Sequence, residues 1–268
     1  TICIDASAGY YTDTTAATSQ TACAAGTYQP STGQASCIDA SAGYYVDTTA
    51  ATSQTACATG TYQPSTGQTS CVDASAGYYV DTTAATNQTA CAVGTYQPDE
   101  GQTSCEEADA GYYVDTTAAT DQTTCDPGTY QNQTGQASCI NAPAGTYVDT
   151  TAATSPTDCA LGTYQPDEGQ TSCDDANPGY YVPNTGSSSQ TTCSAGTYQP
   201  ASGQSSCIDA SAGYYVPTTA ATSQTACSAG TYQPDEGQTL CIDADAGYYV
   251  DTTAATSQTA CDLGTYQN

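Results

Sequence analysis

Sixteen cysteines stand at positions 3, 23, 37, 57, 71, 91, 105, 125, 139, 159, 173, 193, 207, 227, 241 and 261, with spacings that alternate between 20 and 14 residues. No His is available for a mixed metal site, and no C-x2-C pair occurs, which a four-cysteine zinc site would need. The chemistry these thiols offer is therefore oxidation to disulfides, in a compartment that permits it. The regular spacing also fixes the organisation. A strict 34-residue period implies one small supersecondary unit stacked on its neighbours, about eight times over residues 1–268, in a long quasi-one-dimensional array.

Composition narrows the function. The chain carries 27 acidic residues and no Lys, Arg or His, a net charge of −27. The usual general bases and the cations that hold oxyanions or phosphates are missing, so the chain is not expected to be an enzyme. Phosphate contacts require Lys or Arg, which excludes nucleic acid. An acidic membrane surface would repel the chain, and no apolar run approaches the length of a bilayer span, so no membrane insertion is expected in this segment. There is no initiating Met and no basic leader, and both ends fall inside a repeat: Ile2-Cys3-Ile4 matches Ser36-Cys37-Ile38, and Tyr266-Gln267-Asn268 stops midway. The sequence reads as a window from a longer chain. Phe, Trp and Met are absent and Leu occurs only at 161, 240 and 263, so hydrophobic burial alone would not offset the entropy of ordering the chain. Disulfides are the expected substitute, and the expected location is extracellular or cell-surface.

The 34-residue unit is itself double. The run from Cys57 to Cys71 (C-x2-G-x-Y-x-P-x2-G-x3-C), moved by 17 residues, falls on Ala74 to Gln88: Gly60 matches Gly77, Tyr62 matches Tyr79, and the two cysteines become Ala and Gln. Gly186, alone among 24 glycines outside the three usual places, occupies the position this alignment predicts from Gly67. If the half-repeat once carried C-x13-C throughout, the bridges are Cys23–Cys37, Cys57–Cys71, Cys91–Cys105, Cys125–Cys139, Cys159–Cys173, Cys193–Cys207 and Cys227–Cys241. Cys3 and Cys261 are then left over, as candidates for a bridge joining one segment to the next. The rival 20-residue register, beginning Cys3–Cys23, pairs all 16 internally. Seven closed loops of the shorter kind would contribute about 3 kcal/mol each, roughly 20 kcal/mol together.

The motif C-x2-G-x-Y-x4-G-x3-C resembles the cysteine-rich modules of TNF-receptor-like and ephrin-receptor-like ectodomains. The resemblance implies a short, irregular, mostly β module closed by a first-to-second cysteine bridge, with the tyrosine packed against it; Cys57–Cys71 and Tyr62 take these roles here. Modules of that kind join through C-x2-C. This chain lacks one member of each such pair, at Cys37-Ile38-Asp39-Ala40 and Gln54-Thr55-Ala56-Cys57.

Recurrent Gly, Thr, Val and Tyr argue against helices. Residues 43–46 and 60–63 read as short strands and Pro64–Gly67 as a turn, so that each half is a strand, a turn and a return. The fold class expected is all-β and irregular: an elongated, disulfide-stapled tandem-repeat rod of 34-residue units, each of two 17-residue half-modules. Stacking would align Tyr11, Tyr45, Tyr79 and Tyr113 in one ladder and Tyr28, Tyr62, Tyr96 and Tyr130 in another. Without Phe or Trp, these tyrosines are expected to form the core, with a carbohydrate-binding face as the alternative.

No cofactor is expected. Calcium is the minor alternative, at Asp243, Asp245 and Asp251 or at Asp99 and Glu100; these acids vary among repeats, which favours a solvated acidic face. Modification is the stronger signal. The run Asp47-Thr48-Thr49-Ala50-Ala51-Thr52-Ser53-Gln54-Thr55 has the small, hydroxyl-rich composition that accepts O-glycans, with Thr48, Thr49, Thr52 and Thr55 as candidates. Asn87-Gln88-Thr89 and Asn132-Gln133-Thr134 are N-glycosylation sequons, with Asn87 and Asn132 as acceptors. The function expected is that of an extracellular structural protein, a fibre, stalk or surface-layer component that self-associates into filaments and bears covalent glycans. The alternative is a receptor-like or adhesin binding module.

Overall fold

The structure, a computed structural model, describes residues 2–266; Thr1, Gln267 and Asn268 lie outside the described residues. It contains no helix among the described residues. Among the described residues, thirty strands of two residues each pair into fifteen antiparallel hairpins. Tyr44–Tyr45 pairs with Thr55–Ala56, and Thr61–Tyr62 pairs with Val72–Asp73. Each hairpin belongs to one 17-residue half-module, such as 40–56 or 57–73, and successive half-modules repeat the same backbone. The chain divides into two compact units: one is the chain up to Cys125 with Gln131–Cys139, the other Asp126–Tyr130 with the chain from Ile140 onward.

Two-residue strands make too few ladder bonds to be stable alone, and the missing bonds are made between half-modules. At the junction of 40–56 with 57–73, Gly43 N–H donates to Gln63 O at 2.8 Å, Val46 N–H to Gln68 O at 3.0 Å, and Gly67 N–H to Ala40 O at 2.8 Å. The same three bonds recur at junction after junction within each unit. A second contact skips one half-module. A Cβ added to Gly43 would lie 2.2 Å from Ala84 O, and one added to Gly60 would lie 2.2 Å from Gly101 O. Half-module 40–56 thus abuts 74–90, and 57–73 abuts 91–107. Like lies against like, which gives the 34-residue period a structural reason.

Backbone approach this close leaves room only for small side chains. The core is a column alternating Ala40, Cys57, Ala74 and Cys91, all at 0% exposure, beside a second column alternating Val46, Gln63, Val80 and Gln97, all buried. The tyrosines are not that core: Tyr45 and Tyr62 are only half-buried. Junction hydrogen bonds at 2.8–3.0 Å hold the backbones too near one another for an aromatic ring to enter between them.

Candidate functional site

Two devices close the hairpins, and they alternate along the chain. In half-module 57–73 the bridge Cys57–Cys71 spans 14 residues with a Cα–Cα separation of 5.8 Å, well inside the range a disulfide accepts. Cys23–Cys37, Cys91–Cys105, Cys125–Cys139, Cys159–Cys173, Cys193–Cys207 and Cys227–Cys241 repeat it. Of the two registers the spacing left open, the structure takes the shorter. Within each stapled half-module a buried glutamine is wired to its own loop: Gln63 Nε2 donates to Ser70 O at 2.8 Å, and its Oε1 accepts from Ser65 N–H at 3.1 Å. No buried side-chain polar atom among the described residues lacks a partner.

In the other half-module the cysteine positions hold Ala40 and Gln54. The Gln54 side chain reaches back over the same loop, and its Oε1 accepts from the Ser41 backbone N–H at 2.7 Å. Gln20, Gln88, Gln122, Gln190, Gln224 and Gln258 do the same, at 2.6–2.7 Å, with the N–H of Ser7, Ser75, Asp109, Asn177, Ser211 and Asp245. A hydrogen bond therefore stands where a disulfide stands in the neighbour. Half-module 142–158 is the exception. There Pro156 replaces the glutamine, removing the acceptor, and Pro143 replaces the donor residue, removing the N–H. Donor and acceptor are lost together. The half-repeat alignment carried the signal for the glutamine tie, since it sets Gln54 on Cys37; the backbone partner was not visible in it.

The turn of each half-module needs a left-handed residue. In stapled halves glycine supplies it (Gly67, φ 70°), and in the unstapled halves alanine does, at Ala16, Ala50, Ala84, Ala118, Ala220 and Ala254 of glutamine-tied halves and at Ala152 of 142–158, with φ of 54–57°. Gly186 takes this place, with φ 66°, in its own half-module.

The remaining candidates are placed as follows. Thr48, Thr49, Thr52 and Thr55 are exposed, the first three on the hairpin loop, and Asn87 and Asn132 are exposed on loops. Cys3 (exposed) and Cys261 (half-buried) have free thiols. Asp245 is engaged with Gln258, whose Nε2 donates to its Oδ2 at 2.5 Å. Among the described residues no three His, Cys, Asp or Glu side chains gather closely enough to hold a metal, so Asp243, Asp245 and Asp251 are not brought together as a cation site, nor are Asp99 and Glu100 joined by a third such group. Burial pushes the Tyr96 phenol above its ordinary value, reinforced by the Glu106 carboxylate across the strand pair, to which the phenol hydrogen-bonds, and by Asp109 and Asp121. No helix among the described residues is long and apolar enough to cross a membrane.

Fold and ties define a class: a tandem array of 17-residue β-hairpin half-modules closed alternately by a disulfide and by a glutamine side chain. The family model described as tyrosine-protein kinase ephrin type A/B receptor-like matches residues 77–125, 111–159 and 179–227, and the repeats in those stretches are similar to ephrin-receptor-like cysteine-rich repeats. Each match opens on the glycine of a glutamine-tied half-module (Gly77, Gly111, Gly179) and closes on the first cysteine of a stapled one, enclosing one complete staple. No curated protein matches the chain.

Proposed function

We propose that this chain is an extracellular structural repeat protein, a segment of a fibre, stalk or surface layer, and that its task is mechanical rather than catalytic. One observation carries the reading: half-modules closed by their own disulfide or glutamine tie, 142–158 excepted, are bonded through the backbone to the next, so copy number sets length. Disulfide-rich repeats of the ephrin-receptor-like kind belong with secreted and surface proteins, which supports the location. The exposed Thr48, Thr49, Thr52 and Thr55, with Asn87 and Asn132, are the places for glycans that would shield the loops. Filaments would form by self-association, and Cys3 and Cys261 are available to join segments covalently.

A second reading, a receptor-like binding module, is favoured by the family match alone. Cryo-electron microscopy of the native, unreduced protein separates the two. Long regular fibres, with added density on Thr or Asn side chains, are the expected result. Isolated short particles with bare surfaces would sink the structural reading in favour of the receptor-like one.

A further inference from the structure

Open-sided grooves recur at one place in the repeat. The first is lined by Tyr45, Asp47 and Thr55 of a glutamine-tied half-module and by Ala58, Thr61 and Thr69 of the stapled half-module that follows. Counterparts displaced by whole repeats contain Tyr147 with Thr163, and Tyr215 with Thr231. Their volumes are about 670, 330 and 460 Å³, room for one or two sugar-sized rings.

What changes from groove to groove is the charge. Asp47 and Asp149 line two of them, and the equivalent residue of the third is Pro217. What persists is one half-buried tyrosine, the second cysteine of a staple, and one threonine hydroxyl held in a fixed orientation. Thr61 Oγ1 donates to Ala58 O at 2.8 Å, and Thr163 and Thr231 donate to Ala160 O and Ser228 O at 2.9 Å. With its proton engaged, each hydroxyl keeps a lone pair as an acceptor. A flat aromatic face beside a hydroxyl acceptor fits a ligand that is itself a ring with an apolar face and hydroxyl donors at its edge. Net charge −27 with no cation turns away anionic ligands, and a variable carboxylate gives a cation no constant partner.

We infer that these grooves are subsites for a neutral polysaccharide, each taking one or two sugar rings. The inference does not depend on the structural reading above. A shallow groove binds a single ring weakly, and repetition along the chain raises the affinity for a longer glycan.

The test is titration calorimetry of the intact, oxidised chain with cellohexaose, mannohexaose and chitohexaose, against the corresponding disaccharides, with hexagalacturonate as the anionic control. At least one neutral hexamer is expected to bind about tenfold or more tightly than its disaccharide. Combined Tyr45→Ala, Tyr147→Ala and Tyr215→Ala should weaken that binding at least about tenfold, a loss of about 1.4 kcal/mol. Should those variants fail to fold, combined T61V, T163V and T231V, nearly isosteric, read the same grooves through the lost acceptor. Absence of heat with every neutral hexamer overturns the inference, as does equal binding of hexagalacturonate, or binding that folded groove variants leave unchanged.

Discussion

Half-modules 57–73 and 40–56 share one backbone and differ in what closes it. In the first, Cys57–Cys71 constrains the chain before it folds, and the buried Gln63 organises the loop. In the second, Gln54 holds the Ser41 N–H only once the hairpin exists, and Val46 fills the place of the glutamine. A disulfide acts mainly by shrinking the unfolded ensemble, about 3 kcal/mol for a loop of this length. A side-chain hydrogen bond contributes about 1 kcal/mol to the folded state. The array therefore alternates strong and weak closures, and each glutamine-tied half-module between Cys23 and Cys241 stands between two stapled ones. Stability along such a chain is a sum of local and nearest-neighbour terms, so a covalent tie in every second half-module can support the one between.

The largest effect should follow from removing the covalent ties. Full reduction forfeits roughly 20 kcal/mol across seven staples, and the reduced chain is expected to lose its near-ultraviolet tyrosine dichroism. C57S alone should cost about 3 kcal/mol in denaturant unfolding, against about 1 kcal/mol for Q54A. A reduced chain that kept its dichroism would place the stability in the junction bonds and erase the distinction between the two kinds of half-module.

Next come the glycines. Gly60 and Gly67 both have positive φ, at 82° and 70°. A Cβ at Gly60 would meet the Gly101 carbonyl at 2.2 Å, whereas one at Gly67 would meet only the Asp39 side chain at 3.6 Å, an ordinary contact. Gly60→Ala should therefore cost about 3 kcal/mol or more, the left-handed penalty plus overpacking. Gly67→Ala should cost about 1–2 kcal/mol, the left-handed penalty alone. Equal costs at the two positions would mean that the contact between alternate half-modules carries no energy.

The converse change sharpens the same comparison from the other side. Ala50 already bears the left-handed penalty, at φ 56°. Ala50→Gly should stabilise the chain by a few tenths to about 1 kcal/mol, since glycine relieves the strain but loosens the unfolded state. Gly186 is this replacement, made once in the sequence. A loss of stability in the melting profile would show that the alanine methyl is worth more than its strain.

These contrasts mark what could be read without coordinates. The period, the half-repeat, the hairpins and the absence of helices follow from spacing and from Gly, Pro and Tyr placement, because those signals are local. The tyrosine core was a misreading of composition. Burial here is set by how closely backbones approach, which admits Cys, Ala and Val and excludes rings, and it buries Gln63, a residue whose polarity argues for the surface until its loop partners are known. The glutamine tie stayed half-hidden for a related reason. Alignment shows the residue that replaces a cysteine, but its partner is a backbone N–H, and an N–H leaves no mark on sequence unless a proline deletes it.

Half-module 142–158 is where that mark appears, and it permits the finest test. Restoring the tie there takes two changes, Pro143→Ser for the donor and Pro156→Gln for the acceptor. Either change alone recovers no bond. Each also removes a proline, whose restriction of the unfolded chain is worth about 0.4–1 kcal/mol. The double-mutant cycle cancels those entropic terms and isolates the bond, for which a favourable coupling of about 1 kcal/mol is expected in denaturant unfolding. Zero coupling would mean that the seven glutamine contacts decorate hairpins held by other means. A positive result would imply that this half-module is closed by a third device. Two prolines, acting on the unfolded chain as a disulfide does, together offset about as much as the one hydrogen bond they displaced.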